Sequence, residues 1–221
     1  MAYSPNEILP PEVQIALAHT RPDMRDALRI FFELDARLAR IIAATTEPIL
    51  GQMRLAWWRD MMRQPAAERP SGDAVLDGIG QHWAGKEVAL IALVDGWEHM
   101  LAPAPMGEDD AVGFAKGRAI GIMAAHEARA ANDAGGDALN AAAWAWAFAD
   151  MAAKVSLDEE RELMIQLGLS KEAQRTRLPR SARGMAVLGA LGARALDGGG
   201  RPLMEGRGAS LLATRAAFFG K

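Results

Sequence analysis

Residues 27–63, ALRIFFELDARLARIIAATTEPILGQMRLAWWRDMMR, decide the fold. They read as two amphipathic helices joined at Thr46-Glu47-Pro48. In the first, Met24, Ala27, Leu28, Phe31, Leu34, Leu38, Ile41 and Ile42 recur at three- and four-residue steps. That spacing makes one apolar stripe, with Arg25, Arg29, Arg37 and Arg40 mostly off it. Pro22 suits a first helical position, and Thr20 is a candidate cap. In the second helix Pro48 again suits the first turn, with Thr46 or Glu47 before it. Leu50, Met53, Trp57 and Met61 form one row, Leu55, Trp58 and Met62 the next, and Pro65 stops it. So broad an apolar face is expected deep in a bundle, where each large side chain contributes roughly 1.5–3 kcal/mol on burial.

The rest of the chain extends the helical pattern. Residues 1–20, with Pro5, Pro10 and Pro11 around a short apolar turn from Val13 to Ala18, predict a lead-in helix, and QPAAERPSG at 64–72 predicts a loop. Asp73 can cap a helix carrying Val75, Leu76, Ile79 and Trp83. Residues 87–101, EVALIALVDGWEHML, are apolar nearly all round and predict a central helix ended by Pro103 and Pro105. Residues 109–131 predict a helix with Gly113, Gly117, Gly121 and Ala125 at four-residue spacing; such a row lets a neighbouring helix approach closely or leaves room for a ligand. Gly135-Gly136 predicts a turn and 137–155 a helix carrying Trp144, Trp146 and Phe148. Ser156 to Glu159 has the form of a capping box. Two last helices are expected at 181–196 and 208–219. No strand alternation persists and no internal repeat is seen. The expected fold is all-α: a single-domain bundle of about eight to ten helices over residues 1–221.

Composition agrees. At 221 residues the chain can bury a sizeable core, and its 50% hydrophobic content is rich in Ala, Leu and Met but poor in Tyr and Phe. A net charge of -3 gives no reason to expect a nucleic-acid partner. The charge is uneven, however. Residues 171–221 hold 10 Lys+Arg against 3 Asp+Glu, while the first 170 residues hold 15 against 25. A basic C-terminal third suits contact with phosphates, an anionic membrane surface or an acidic partner; its plainer reading is a solvated helical surface. Without cysteine there is no disulfide, iron–sulfur cluster or Cys-ligated zinc, which fits a reducing cytoplasm. The first twelve residues lack a signal pattern, and no run approaches the ~18 apolar residues of a spanning helix. A soluble, cytoplasmic protein is expected, peripheral to the inner membrane at most.

ELDARLARIIAATTEPILGQMRLAWWRDMM resembles the opening of the squalene/phytoene synthase family. The resemblance is greatest to the divergent branch that includes a mitochondrial respiratory complex I assembly factor and its bacterial relatives. LARI, Thr-Glu-Pro and the spacing Gly-x-x-Arg-Leu-x-Trp-Trp-Arg carry it. Weaker echoes follow in LIALVDGWEHML, FAKGRAIGIM, WAWAFADMA, LPRSARGMAVLGALGARAL and TRAAFFGK. The resemblance implies the isoprenoid synthase fold with an apolar tunnel between central helices. Active members of the family condense two prenyl diphosphates head to head, using magnesium ions held by two aspartate-rich helical segments.

This sequence departs from that pattern. The best register puts the first aspartate-rich segment at Ala39, Arg40 and Ala43, none of them acidic; Asp35 stands alone a turn upstream. The second segment reads AWAFADMAAKV, where Asp150 is single and Lys154 follows one turn on, and a cation there opposes magnesium. Two textual Asp-x-x-x-Asp matches, Asp73/Asp77 and Asp133/Asp137, are better read as a cap and a turn. His19, His82, His99 and His126 are scattered, without zinc or acid–base pairing. There is no nucleophile elbow, phosphate loop or dinucleotide fingerprint.

No residue is therefore assigned a catalytic or metal-ligating role. The candidate binding residues are Arg40, Arg54, Trp57, Trp58, Arg59 and Asp60. The tryptophans would line a lipid or prenyl pocket, or else serve core packing and a helix seam, since adjacent positions diverge by about 100°. Arg54, Arg59 and Asp60 would bind an anionic head group, or else form a rim ion pair; Arg40 would take a phosphate or partner carboxylate. The expected function is a degenerate prenyl-synthase-like binding or assembly protein. Its partner would be a respiratory-complex subunit or a prenyl lipid, with no cofactor. The alternative is an active magnesium-dependent prenyltransferase of squalene/phytoene-type biosynthesis.

Overall fold

Proline and apolar periodicity set the helix starts where the sequence places them. The computed structural model describes residues 8–130, 135–170 and 177–220. Among these residues there are ten α-helices and no strand. They are α1 (Pro11–Ala18), α2 (Pro22–Ala43), α3 (Pro48–Arg63), α4 (Ala74–His82), α5 (Glu87–Glu98), α6 (Glu108–Ala130), α7 (Gly136–Ala152), α8 (Asp158–Ser170), α9 (Arg183–Asp197) and α10 (Gly208–Phe219). Pro11, Pro22 and Pro48 sit in first turns, where the missing N–H costs nothing. Asp73 caps α4 by accepting from the Val75 and Leu76 amides at 3.0 Å, and also takes Arg37 at 2.8 Å. Asp77 accepts the Gly72 amide, so the Asp73/Asp77 pair is a cap and a loop clasp. Asp133 of the other match lies outside the described residues.

Several boundaries differ from expectation. Thr20 does not cap α2: its hydroxyl donates back to the Ala16 carbonyl at 2.8 Å, closing the end of α1. The central helix expected to run to 101 stops at Glu98, and His99–Leu101 tightens into a 3-10 turn. α8 begins one residue later than a cap at Ser156 would start it. A 3-10 turn, Arg180–Ala182, precedes α9.

α7 lies against α9, α6 and α8; α5 lies against α6 and α3; α2 crosses α4, α5 and α6; and α1 and α10 cover α9. One continuous apolar core joins them. α2 passes through its middle, so Ile30 to Asp35 are all buried, acidic Glu33 and Asp35 among them. The small-residue row of α6 serves close packing. A Cβ on Gly117 would lie 2.5 Å from the Ala92 carbonyl and 2.9 Å from the Gly96 Cα, so α5 and α6 meet backbone to backbone. Gly121 makes room for the Phe31 ring in the same way.

α3 corrects an expectation. Leu55, Trp58, Met61 and Met62 are buried, but Ile49, Leu50, Met53 and Trp57 face outward, Met53 being 65% exposed. The Leu55, Trp58 and Met62 row is buried along its length, while the other row is buried only at Met61. No helix among the described residues is long and apolar enough to cross a membrane.

Candidate functional site

The lone carboxylates of the sequence, Asp35 and Asp150, are brought together by α2 and α7. A third helix supplies what lies between them. Arg118 sits on the inward stripe of α6, among Ala111, Phe114, Ala115, Ala119 and Ile122, and is 1% exposed. Its Nε and Nη2 donate to the two oxygens of Asp35 at 2.9 and 2.8 Å, a bidentate pair. Its Nη1 donates to Asp150 Oδ2 at 2.7 Å. Lys154, one turn past Asp150, closes the chain with its ammonium 2.7 Å from Oδ1 and 2.8 Å from Oδ2. The Trp97 indole N–H donates to Asp35 Oδ1 at 2.8 Å.

Aromatic rings enclose the guanidinium. Phe114, Trp146 and Trp97 have their centroids 4.5, 4.6 and 5.2 Å from its carbon. Each lies within the ~6 Å range at which a cation is drawn to a ring face. Trp97 and Phe114 stand edge to face at 4.9 Å, and Trp146 meets Phe32 likewise at 5.4 Å. The Trp146 Nε1 itself has no acceptor.

The electrostatics of this cluster balance. Two carboxylates face one guanidinium and one ammonium, so no formal charge remains over. Burial would push the Asp150 carboxyl up, but Arg118 and then Lys154 outweigh it and hold the group below the usual aspartate range. Glu12 of α1 is a further buried carboxyl nearby. Burial raises its proton affinity and the Asp150 charge adds to that, against a backbone hydrogen bond and Lys154.

A magnesium site of the kind the family resemblance implies does not fit these residues. Every oxygen of Asp35 and Asp150 already accepts from a cation, and a divalent ion would have to displace a buried guanidinium. Among the described residues no group of three or more His, Asp or Glu is placed to hold a metal ion.

The residues singled out from sequence lie elsewhere and do not form one pocket. Arg40 is exposed on the last turn of α2, and Arg54 is exposed on α3. Trp58 is buried as core, with Arg37 stacked 5.9 Å from its ring. Trp57 is neither core nor seam: it stands edge-on to Trp58 at 5.1 Å with 43% of its surface open. Arg59 is the rim ion pair, but its partners are Asp95 and Glu98 of α5 rather than Asp60. Asp60 points away to Arg63 at 3.4 Å.

Of the scattered histidines, His126 is buried against the Ile122 carbonyl, and His99 meets Asp110 at 2.9 Å. Arg118 is the residue the sequence reading passed over. Its signal was present in FAKGRAIGIM, an arginine on the apolar stripe where only a buried partner makes sense. Compared with known proteins, the chain matches no family model, no curated protein and no solved structure.

Proposed function

We propose that this chain is a binding or assembly protein built on a prenyl-synthase-like scaffold, without magnesium-dependent prenyl transfer. The observation that carries this is the Asp35–Arg118–Asp150 triad, neutralised by Lys154. In a prenyl transfer of the family's type, carboxylates across the bundle hold magnesium, which takes up the charge of the departing diphosphate. Here the nearest carboxylates, Asp35 and Asp150, hold a guanidinium locked among three rings, with every oxygen already accepting from a cation. The exposed row Ile49, Leu50, Met53 and Trp57 at the head of α3 supports a surface role, toward a protein partner or a prenyl lipid. A protein of this kind needs no cofactor, and its basic C-terminal third suits contact with an anionic membrane surface.

The rival reading, an active head-to-head prenyltransferase, draws on the same convergence of Asp35 and Asp150. One assay separates the two. Purified protein is incubated with magnesium and farnesyl or geranylgeranyl diphosphate, and pyrophosphate release is followed. No release above the protein-free rate is expected, and the melting temperature should not rise with magnesium. Sustained turnover would sink the proposal and restore the enzyme.

A further inference from the structure

α10 is built the reverse way to an ordinary surface helix. Where it lies on α9 and α1 its side chains are small: Ala209, Ala213, Ala216 and Ala217 are buried. Its large apolar residues stand outside, Leu211 at 75%, Phe218 at 68% and Phe219 at 58% exposure. An amphipathic helix of a globular protein turns such residues inward. At about 100° per residue, Arg207, Leu211 and Phe218 fall on nearly one line along the outer face. Arg215 and Phe219 border that line on one side, Ser210 and Thr214 on the other. The His19 ring of α1 stands edge-on to Phe218 at 6.4 Å and leaves it mostly open.

The charges around this row share one sign. α10 itself contains Arg215 and no acidic residue, and Arg207 opens it. Both arginines are exposed, and among the described residues neither forms an ion pair. At the far end the Leu178 amide donates to the Gly220 carbonyl at 2.9 Å, which brings the segment of exposed Arg177 to the close of the helix. Residues 198–221 carry Arg201, Arg207, Arg215 and Lys221 against Glu205 alone. The other exposed apolar row, on α3, is of mixed sign, since Glu47 and Asp60 stand exposed along that helix with Arg54 and Arg63.

We propose, resting on the reading that the basic C-terminal third meets an anionic membrane, that the outer face of α10 is the surface that docks on the bilayer. Leu211, Phe218 and Phe219 enter the edge of the hydrocarbon, and Arg207 and Arg215 meet lipid phosphates. At 12 residues α10 falls short of the roughly 20 that span a bilayer, so it lies in the plane of the interface.

The shape and charge of the face favour lipid over other occupants. Side chains that project from a helix sink into lipid without a matching pocket, whereas a protein partner must supply one of complementary shape. A second copy is disfavoured because a twofold pairing of this face sets arginines against arginines.

The test co-sediments the full chain with phosphatidylcholine vesicles, with and without phosphatidylglycerol, at low and high salt. Three variants are compared with wild type: Leu211→Gln with Phe218→Gln, Arg215→Gln, and Ile49→Gln with Met53→Gln on α3 as a control for lost apolar surface. Wild-type binding that requires phosphatidylglycerol and weakens with salt is expected. The α10 double variant should bind about tenfold or more weakly, Arg215→Gln about fivefold, and the α3 variant like wild type. The replaced side chains are exposed, so all four proteins should melt together. Should the double variant melt lower, Leu211→Gln alone takes its place.

Wild type that ignores phosphatidylglycerol vesicles overturns the face together with the membrane contact it rests on, and leaves the row to an acidic protein partner. Binding that the α10 variants retain in full, or that the α3 variant loses equally, overturns the face alone and leaves that contact standing. A concentration-dependent dimer in sedimentation equilibrium, abolished by the α10 double variant, would give the row to a second copy and likewise overturn the docking face.

Discussion

Arg118 is a guanidinium group held out of water, and its neighbours set the consequence of replacing it. Arg118→Met strands two buried carboxylates on facing helices, and about 3–5 kcal/mol of stability should be lost in urea unfolding. The combined variant Arg118→Met, Asp35→Leu, Asp150→Leu removes the stranded charges as well and should recover most of that loss. A combined variant as unstable as the single one would show that the triad's geometry, not its charge balance, holds the helices.

His126 gives a pH test. Burial, chiefly, keeps its ring neutral, with Lys86 acting the same way and the Ile122 hydrogen bond opposing. Its folded proton affinity therefore lies below that of the unfolded chain, which begins to take up a proton near pH ~6.5. Stability falls as the pH drops below that value. Raised Glu12 acts in the opposite direction, since the folded chain protonates it first. Comparing Tm between pH 7 and 5 for wild type and His126→Asn isolates the histidine: the variant should show the shallower decline. At this scale the two aspartates were legible as isolated acids in apolar helices. Their partner was not, because a charge on an inward stripe names no counterpart until the helices cross.

Among the elements, the α5–α6 contact is the tightest to argue from. Gly117→Ala places a methyl 2.5 Å from a backbone carbonyl, so the helices must part. A cost of about 1–3 kcal/mol should outweigh the ~1 kcal/mol that alanine returns in helix propensity. Gly113→Ala presses first on the His99 ring, a side-chain end that can swing away at the expense of its Asp110 contact, and should lower Tm less than Gly117→Ala. Thermal melts of the two variants side by side make the comparison. The tryptophans of α3 give a second contrast. Trp58→Ala should cost about 3–5 kcal/mol, whereas Trp57→Ala should change stability by less than ~1 kcal/mol. Periodicity located both rows of α3 correctly as apolar. It could not show which row would find a neighbour, because Leu50, Met53 and Trp57 carry the same signal as Leu55, Trp58 and Met62. Cap chemistry was similarly divided: Asp73 does what its type favours, while Thr20 spends its hydroxyl on the helix before it.

For the molecule as a whole, helix content, order and number followed from proline positions, apolar spacing and composition, since each helix must bury its own stripe. How α2, α6 and α7 cross did not follow, because crossing is settled by shapes such as Gly96 against Gly117. Chelators should accordingly leave Tm where it is, and a drop on adding EDTA would contradict the triad as the source of cohesion. The guanidinium between Asp35 and Asp150 is bound covalently to the chain that it fastens. Such a latch has a stoichiometry of one with the chain. It closes as the helices cross, and dilution cannot carry it away.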